Sequence, residues 1–116
     1  VEQGLTTYRM VTGLSIPVSF FYRISFIKMN MYYKRSWDEV VFYENEEWGI
    51  PVYYFEVDPT GWPIRQIEVY SNGKRLKYSL ENPADDFGML SDQSLDLAEF
   101  DNYIIPKEEF DKEWNN

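Results

Sequence analysis

From Ile16 to Phe26 every even position is apolar: Ile16, Val18, Phe20, Tyr22, Ile24 and Phe26. This period-2 alternation is that of a strand with one buried face. Phe21 and Ile27 intrude on the odd positions, and Pro17 confines the start of such a strand to a sheet edge. Arg23 interrupts the run well short of the roughly 18 apolar residues that a membrane span needs. The run also lacks the basic start and small-residue cleavage site of a signal peptide. An edge strand or a loosely ordered arm is expected.

The next 86 residues alternate differently. Met31 to Trp37 is a strand of aromatic and basic residues, and Asp38 to Gly49 reads as a long loop or irregular hairpin. Val52 to Val57 is a strand by residue type. Asp58-Pro59-Thr60-Gly61 turns the chain, because proline presets φ and glycine tolerates positive φ. In the returning strand, Ile64 to Tyr70, Arg65, Ile67 and Val69 share one face, and Gln66, Glu68 and Tyr70 the other. Asn72-Gly73 predicts a type I′ hairpin into Lys74–Leu80, where Leu76, Tyr78 and Leu80 alternate with Arg75, Lys77 and Ser79. Residues 81–102 mix acids with Phe87, Met89, Leu90, Leu95, Leu97 and Phe100, the pattern of a long loop pinned to a sheet, with one helical turn near 94–100. A C-terminal helix follows. Pro106 suits its first position, and Glu108 and Glu109 suit its dipole. Phe110 and Trp114 share a face, and Glu108–Lys112 is spaced as an i,i+4 pair. The expected fold is α+β: an antiparallel β-meander of three to five strands, a long acidic loop and one C-terminal helix packed on the sheet.

Composition sharpens this picture. A chain of 116 residues with 44% hydrophobic and 19% aromatic content has material for one aromatic core. It contains no Cys and no His, which excludes thiolate chemistry, disulfides, imidazole acid–base catalysis and His- or Cys-held zinc. No catalytic residues, metal or cofactor are expected. The net charge of −9 repels phosphate backbones and favours a basic protein partner, although acidity alone also keeps a protein dissolved.

Charge is uneven along the chain. Residues 1–30 hold one acid and three bases, whereas the remainder holds 19 acids and eight bases. The chain opens on Val1, and the composition changes at Met29 and Met31. The native start is therefore expected at Met29 or Met31, with 1–30 an N-terminal extension and 31–116 a single domain.

A set of short motifs runs along this stretch: Tyr32-Tyr33, Trp37-Asp38-Glu39, Trp48-Gly49, Tyr54-Phe55-Glu56, Arg65 through Tyr70, Asn72-Gly73-Lys74, Leu90-Ser91-Asp92-Gln93, and Lys107-Glu108-Glu109-Phe110 with Trp114. From about Met31 to Trp114 this set resembles an uncharacterised family of small bacterial domains, similar to proteins encoded beside polymorphic toxins. The resemblance implies an immunity-protein role by association and assigns no functional residues. Pro106 departs from it, since such domains place a polar helix cap there.

Four constellations carry candidate chemistry. Asp85, Asp86, Asp92 and Asp96 have the hard oxygens for a cation but no EF-hand spacing, and a solvated acidic loop is the favoured reading of them. Glu56 and Glu68 are spaced as a glycosidase pair or as strand acids pairing with Lys or Arg across the sheet. Arg65, Lys74, Arg75 and Lys77 beside Tyr70 and Tyr78 weakly resemble a nucleic-acid platform; protection of a strand edge also accounts for the lysines. Trp48 and Trp62 lie in turns, either exposed as interface rings or folded over the sheet end.

The expected function is non-catalytic protein binding in the cytoplasm. The partner would be a basic protein such as a toxin, not nucleic acid or membrane. The expected contact residues are Asp38, Glu39, Glu44, Glu46, Glu47, Trp48, Asp85, Asp86 and Asp92. The alternatives are a metal-dependent enzyme using the Asp85–Asp96 loop and an orphan structural domain.

Overall fold

The computed structural model describes residues 8–11, 14–17 and 29–116, and divides the chain into two units, Val1–Asn30 and Met31–Asn116. In the first unit, β1 (Tyr8–Val11) pairs antiparallel with β2 (Leu14–Pro17), Tyr8 opposite Pro17. The strand expected over 16–26 lies outside the described residues beyond Pro17.

The second unit is built on a four-stranded antiparallel sheet. It comprises β3 (Met31–Ser36), β6 (Val52–Val57), β7 (Pro63–Val69) and β8 (Arg75–Ser79), in the order β3-β6-β7-β8. The three-strand meander expected from the turn signals is present, with β3 added at its open edge. Between β3 and β6 the chain forms a separate hairpin of β4 (Val41–Tyr43) and β5 (Glu46–Gly49). The C-terminal helix α1 spans Lys107–Trp114.

Register decides which side chains share a face. Tyr32 stands opposite Glu56, Glu56 opposite Arg65, Tyr54 opposite Ile67, and Ile67 opposite Lys77. That face carries α1: Tyr32, Tyr54, Ile67 and Phe110 form its core, with Trp114 and Ile105 packed against them. Phe110 is completely buried, as an eight-residue helix too short to stand alone in water requires.

The opposite face carries two aromatic clusters. Tyr33, Phe55, Val57 and Phe100 form one, beside Trp37 and Tyr53. Trp48, Tyr70, Leu76, Tyr78 and Leu90 form the other. The hairpin β4–β5 and the loop 81–104 cover them, giving helix, sheet and loop layers.

Turn chemistry differs in one place from expectation. Gly73 has φ +91 but Asn72 does not have positive φ. The Gly73 amide donates to the Tyr70 carbonyl at 2.9 Å, and Tyr70 donates to the Lys74 carbonyl at 2.9 Å. This is a three-residue loop closed by a left-handed glycine, not a type I′ turn. The type I′ geometry falls instead at Glu44 and Asn45, with φ of 50 and 67, between β4 and β5. The predicted turn at 58–61 is present. Asp58 Oδ1 accepts from the Thr60 amide at 2.9 Å, the Thr60 hydroxyl at 2.7 Å and the Trp62 amide at 3.0 Å. Glycine suits position 61 because its φ of +94 strains any side chain, and a Cβ would also sit a tight 3.1 Å from the Leu95 carbonyl oxygen.

The long loop is fixed to the sheet at defined points. Leu95 donates to the Gly61 carbonyl at 2.9 Å, and the Ser91 amide donates to Gln66 Oε1 at 2.8 Å. Phe100 donates to the Asp96 carbonyl at 3.1 Å, closing the helical turn expected near 94–100, and a 3-10 turn follows at Asp101–Tyr103. Leu80, expected to face inward, is 69% exposed because the strand ends at Ser79.

Pro106 is the N-cap of α1, one position earlier than expected, and supplies no side-chain cap. Among the described residues the i,i+4 ion pair of α1 is Lys107–Asp111, not Glu108–Lys112.

Candidate functional site

All eight bases of 31–116 lie in β3, β7, α1 and the 74–77 segment; 38–64 and 78–106 contain no Lys or Arg. Most of the bases are engaged on the helix-bearing face. Arg65 pairs with Glu56 and with Asp111 at 3.1 Å, and its guanidinium lies over the Phe110 and Trp114 rings at 4.7 and 5.0 Å. Arg75 meets the Glu113 carboxylate and carbonyl, each at 2.8 Å. Lys77 donates to the carbonyls of Trp114 and Asn116 at 2.6 and 3.0 Å. Cations at the last turn of a helix satisfy its free carbonyls and oppose its dipole. Arg65, Arg75 and Lys77 therefore clamp α1 to the sheet, whereas Lys74 lies over the Trp48 ring at 5.4 Å. Tyr70 and Tyr78 contribute to the core of the opposite face, so the elements of a nucleic-acid platform are separated.

Glu56 and Glu68 are separated in the same way. Glu56 stands opposite Arg65, whereas Glu68 stands opposite Tyr53 on the other face, so they form no catalytic pair. The cross-strand ion pair expected for these acids is found for Glu56 with Arg65. Glu68, 5% exposed, instead accepts from the Tyr70 hydroxyl at 2.6 Å and Gln66 Nε2 at 2.8 Å. A buried carboxylate without a cation needs such donors. Burial first, then the Glu68 charge, pushes the Tyr53 hydroxyl up to about 12.

The acids of the loop face behave differently. Asp38, Glu39, Glu44, Glu46 and Glu47 are all exposed, and among the described residues none of them forms an ion pair. The hairpin carrying Glu44, Glu46 and Glu47 rests against the loop carrying Asp85 and Asp86. Tyr43 donates its hydroxyl to the Phe87 carbonyl at 3.0 Å and meets the Phe87 ring edge-on at 5.6 Å. Two acidic segments distant in sequence are thereby joined into one surface.

Asp85 is also structural. Its Oδ1 accepts from the Tyr78 hydroxyl at 2.8 Å and from the amides of Phe87 and Gly88 at 2.8 and 3.0 Å. Burial acts to raise its pKa, but these hydrogen bonds prevail and hold it low. Among the described residues no group of three or more acids is placed to hold a metal ion. Asp86 and Asp92 are exposed.

Trp48 is the correction to the expected contact residues. It is 3% exposed, packed between Tyr43 at 4.4 Å and Tyr70 at 5.2 Å, so its ring cannot anchor a partner. Gly49, at φ +92, follows it against Ser71, where a Cβ would overlap the serine side chain. Trp62, in contrast, is 46% exposed.

A cavity of about 440 Å³ opens on the loop face. Its walls are Trp37, Val41, Tyr53, Phe55, Leu95 and Phe100; Gln66, Ser91, Gln93 and Ser94 add polar groups, and Glu39 and Asp96 add charge. Of the expected contact residues only Glu39 lines it, while Asp92 sits between two lining residues. The aromatic walls come from positions 37, 53, 55 and 100, whose spacing gives no signal in the sequence.

Comparisons with protein-family models, with curated proteins and with solved structures return no match to this chain. Among the described residues no helix is long and apolar enough to cross a membrane.

Proposed function

We propose that the 31–116 unit is a non-catalytic, cytoplasmic protein-binding domain that covers a basic partner with its loop face. An immunity protein neutralising a basic toxin is the form of that role implied by the sequence resemblance. The supporting observation is the segregation of charge. The sheet's bases are largely engaged in holding α1, while Asp38, Glu39, Glu44, Glu46 and Glu47 stand exposed without ion pairs among the described residues. Such a surface accelerates encounter with positive charge and penalises acidic partners.

Association kinetics with an immobilised arginine-glycine repeat peptide test this reading. The on-rate falls as salt rises, and reversing Glu44, Glu46 and Glu47 together to Lys lowers it roughly tenfold. An on-rate indifferent to both changes removes this surface from the function.

A further inference from the structure

We propose that the loop-face cavity is a receptor for one arginine side chain of the partner, with the guanidinium laid against the aromatic wall and paired with Glu39 and Asp96. This rests on the protein-binding reading and names the site and the chemical group it recognises.

The volume of about 440 Å³ falls in the range typical of ligand sites and admits an arginine side chain together with part of its backbone. Among the described residues no lysine or arginine lines the cavity, and both charged lining residues are acids. An anion finds two carboxylates and no cation in that lining, and a purely apolar occupant would strip water from Glu39 and Asp96 without replacing their hydrogen bonds. A cation with a flat, weakly hydrated head satisfies rings and carboxylates together. Guanidinium is that group; an ammonium is compact and strongly hydrated.

The chain uses the same recognition twice on its own arginines. Arg35 lies over Trp37 and Phe100, each at 4.9 Å, and over Tyr103 at 4.7 Å, while it pairs with Glu99 at 2.7 Å. Arg65 combines two rings with Glu56 and Asp111. Trp37 and Phe100 belong both to the Arg35 cage and to the cavity wall, so the rings that would receive the partner are already fixed by an internal cation. Pre-set walls lose little freedom on binding.

Asp96 can be altered without unfolding its turn. Its Oδ1 accepts from the amides of Ala98 and Glu99 at 3.1 and 3.3 Å, and an asparagine oxygen keeps these bonds. Glu39 is exposed and lies outside the regular elements.

The whole chain is titrated with a capped Gly-Gly-Arg-Gly-Gly peptide and with the same peptide carrying neutral citrulline, following the Trp37 indole signal by NMR. Saturable movement of Trp37 with arginine, at least about tenfold weaker with citrulline, is expected. E39Q/D96N should weaken the arginine peptide by a similar factor, with the thermal midpoint unchanged. Equal binding of citrulline, or indifference to E39Q/D96N, overturns the arginine site. If the arginine-glycine repeat peptide still binds and is weakened by the Glu44, Glu46 and Glu47 reversals, the protein-binding reading survives that failure. Seating of the single arginine with no effect of those reversals keeps the cavity and discards the hairpin surface. Binding of neither peptide removes both.

Discussion

Arg65 in the sheet and Asp111 on α1 are joined by a 3.1 Å hydrogen bond, and the same guanidinium neutralises Glu56, which is 7% exposed. The Glu56 carboxylate also accepts from the Tyr32 hydroxyl at 2.9 Å. A charge that far from water tolerates burial only while its partner is present. The helix is thus tied to the sheet by the half-buried Arg65–Asp111 pair as well as by Phe110.

Arg65→Met is therefore expected to lower unfolding stability by about 3 kcal/mol, since it removes the guanidinium that faces the buried Glu56 carboxylate. Adding Glu56→Gln should recover much of the loss, because the amide oxygen retains the Tyr32 hydrogen bond and carries no charge. Urea denaturation of the two single variants and the double variant measures the coupling. Additive losses would show that the pair contributes nothing specific.

Trp48 supplies a second contrast. Its ring is enclosed by Tyr43, Tyr70 and Phe87, yet among the described residues its indole Nε1 finds no hydrogen-bond acceptor. Trp48→Ala opens a large hole and should cost about 3–5 kcal/mol. Trp48→Phe keeps most of the packing and removes an unsatisfied donor, so a cost near 1 kcal/mol is expected. Equal costs in chemical denaturation would mean that the indole N–H has a partner.

The hairpin turn gives a gain instead of a loss. Glu44 holds φ +50, a left-handed conformation that a side chain resists, and Asn45 holds φ +67. Glu44→Asn with Asn45→Gly should stabilise the protein by about 1 kcal/mol, since those residues accept the turn without strain. A thermal midpoint that does not rise would place the strain elsewhere.

The same turn shows which parts of the fold are legible in the sequence. β6 is readable residue for residue, because Val52–Val57 is a run of strand formers ending at a proline-glycine turn. Of the two readings of Asp38 to Gly49, a long loop or an irregular hairpin, the structure has the hairpin, but residues 44–45 carry no glycine and its turn is marked only by a geometry that Glu44 adopts against its preference. The exposed acids of 38–47 are legible as surface because charge seldom buries unpaired. Glu68 breaks that rule, and only the arrival of Gln66 and Tyr70 donors on the same face makes its burial tolerable. The cavity is illegible for a different reason: antiparallel pairing and a pinned loop bring Trp37, Tyr53 and Phe100 together across long separations.

Buried tyrosines set the alkaline limit of the fold. Burial, reinforced by the hydrogen bond to Glu56, pushes Tyr32 up to about 12, and Tyr53 reaches about 12 through burial and the Glu68 charge. Tyr70 and Tyr78 are raised further, again by burial first and then by their bonds to Glu68 and Asp85. An unfolded tyrosine ionises near 10. Below that pH both states keep the phenolic proton and the neutral, hydrogen-bonded forms contribute fully. Above it the unfolded chain releases protons that the folded chain holds, so stability falls from about pH 10 through 12. Tyrosinate absorbance and far-ultraviolet circular dichroism, followed together across that range, should show the buried tyrosines ionising only as the sheet is lost. Early ionisation of the whole set with the dichroism intact would mean that these hydroxyls are open to water and that the aromatic clusters around Glu68 and Asp85 are not closed.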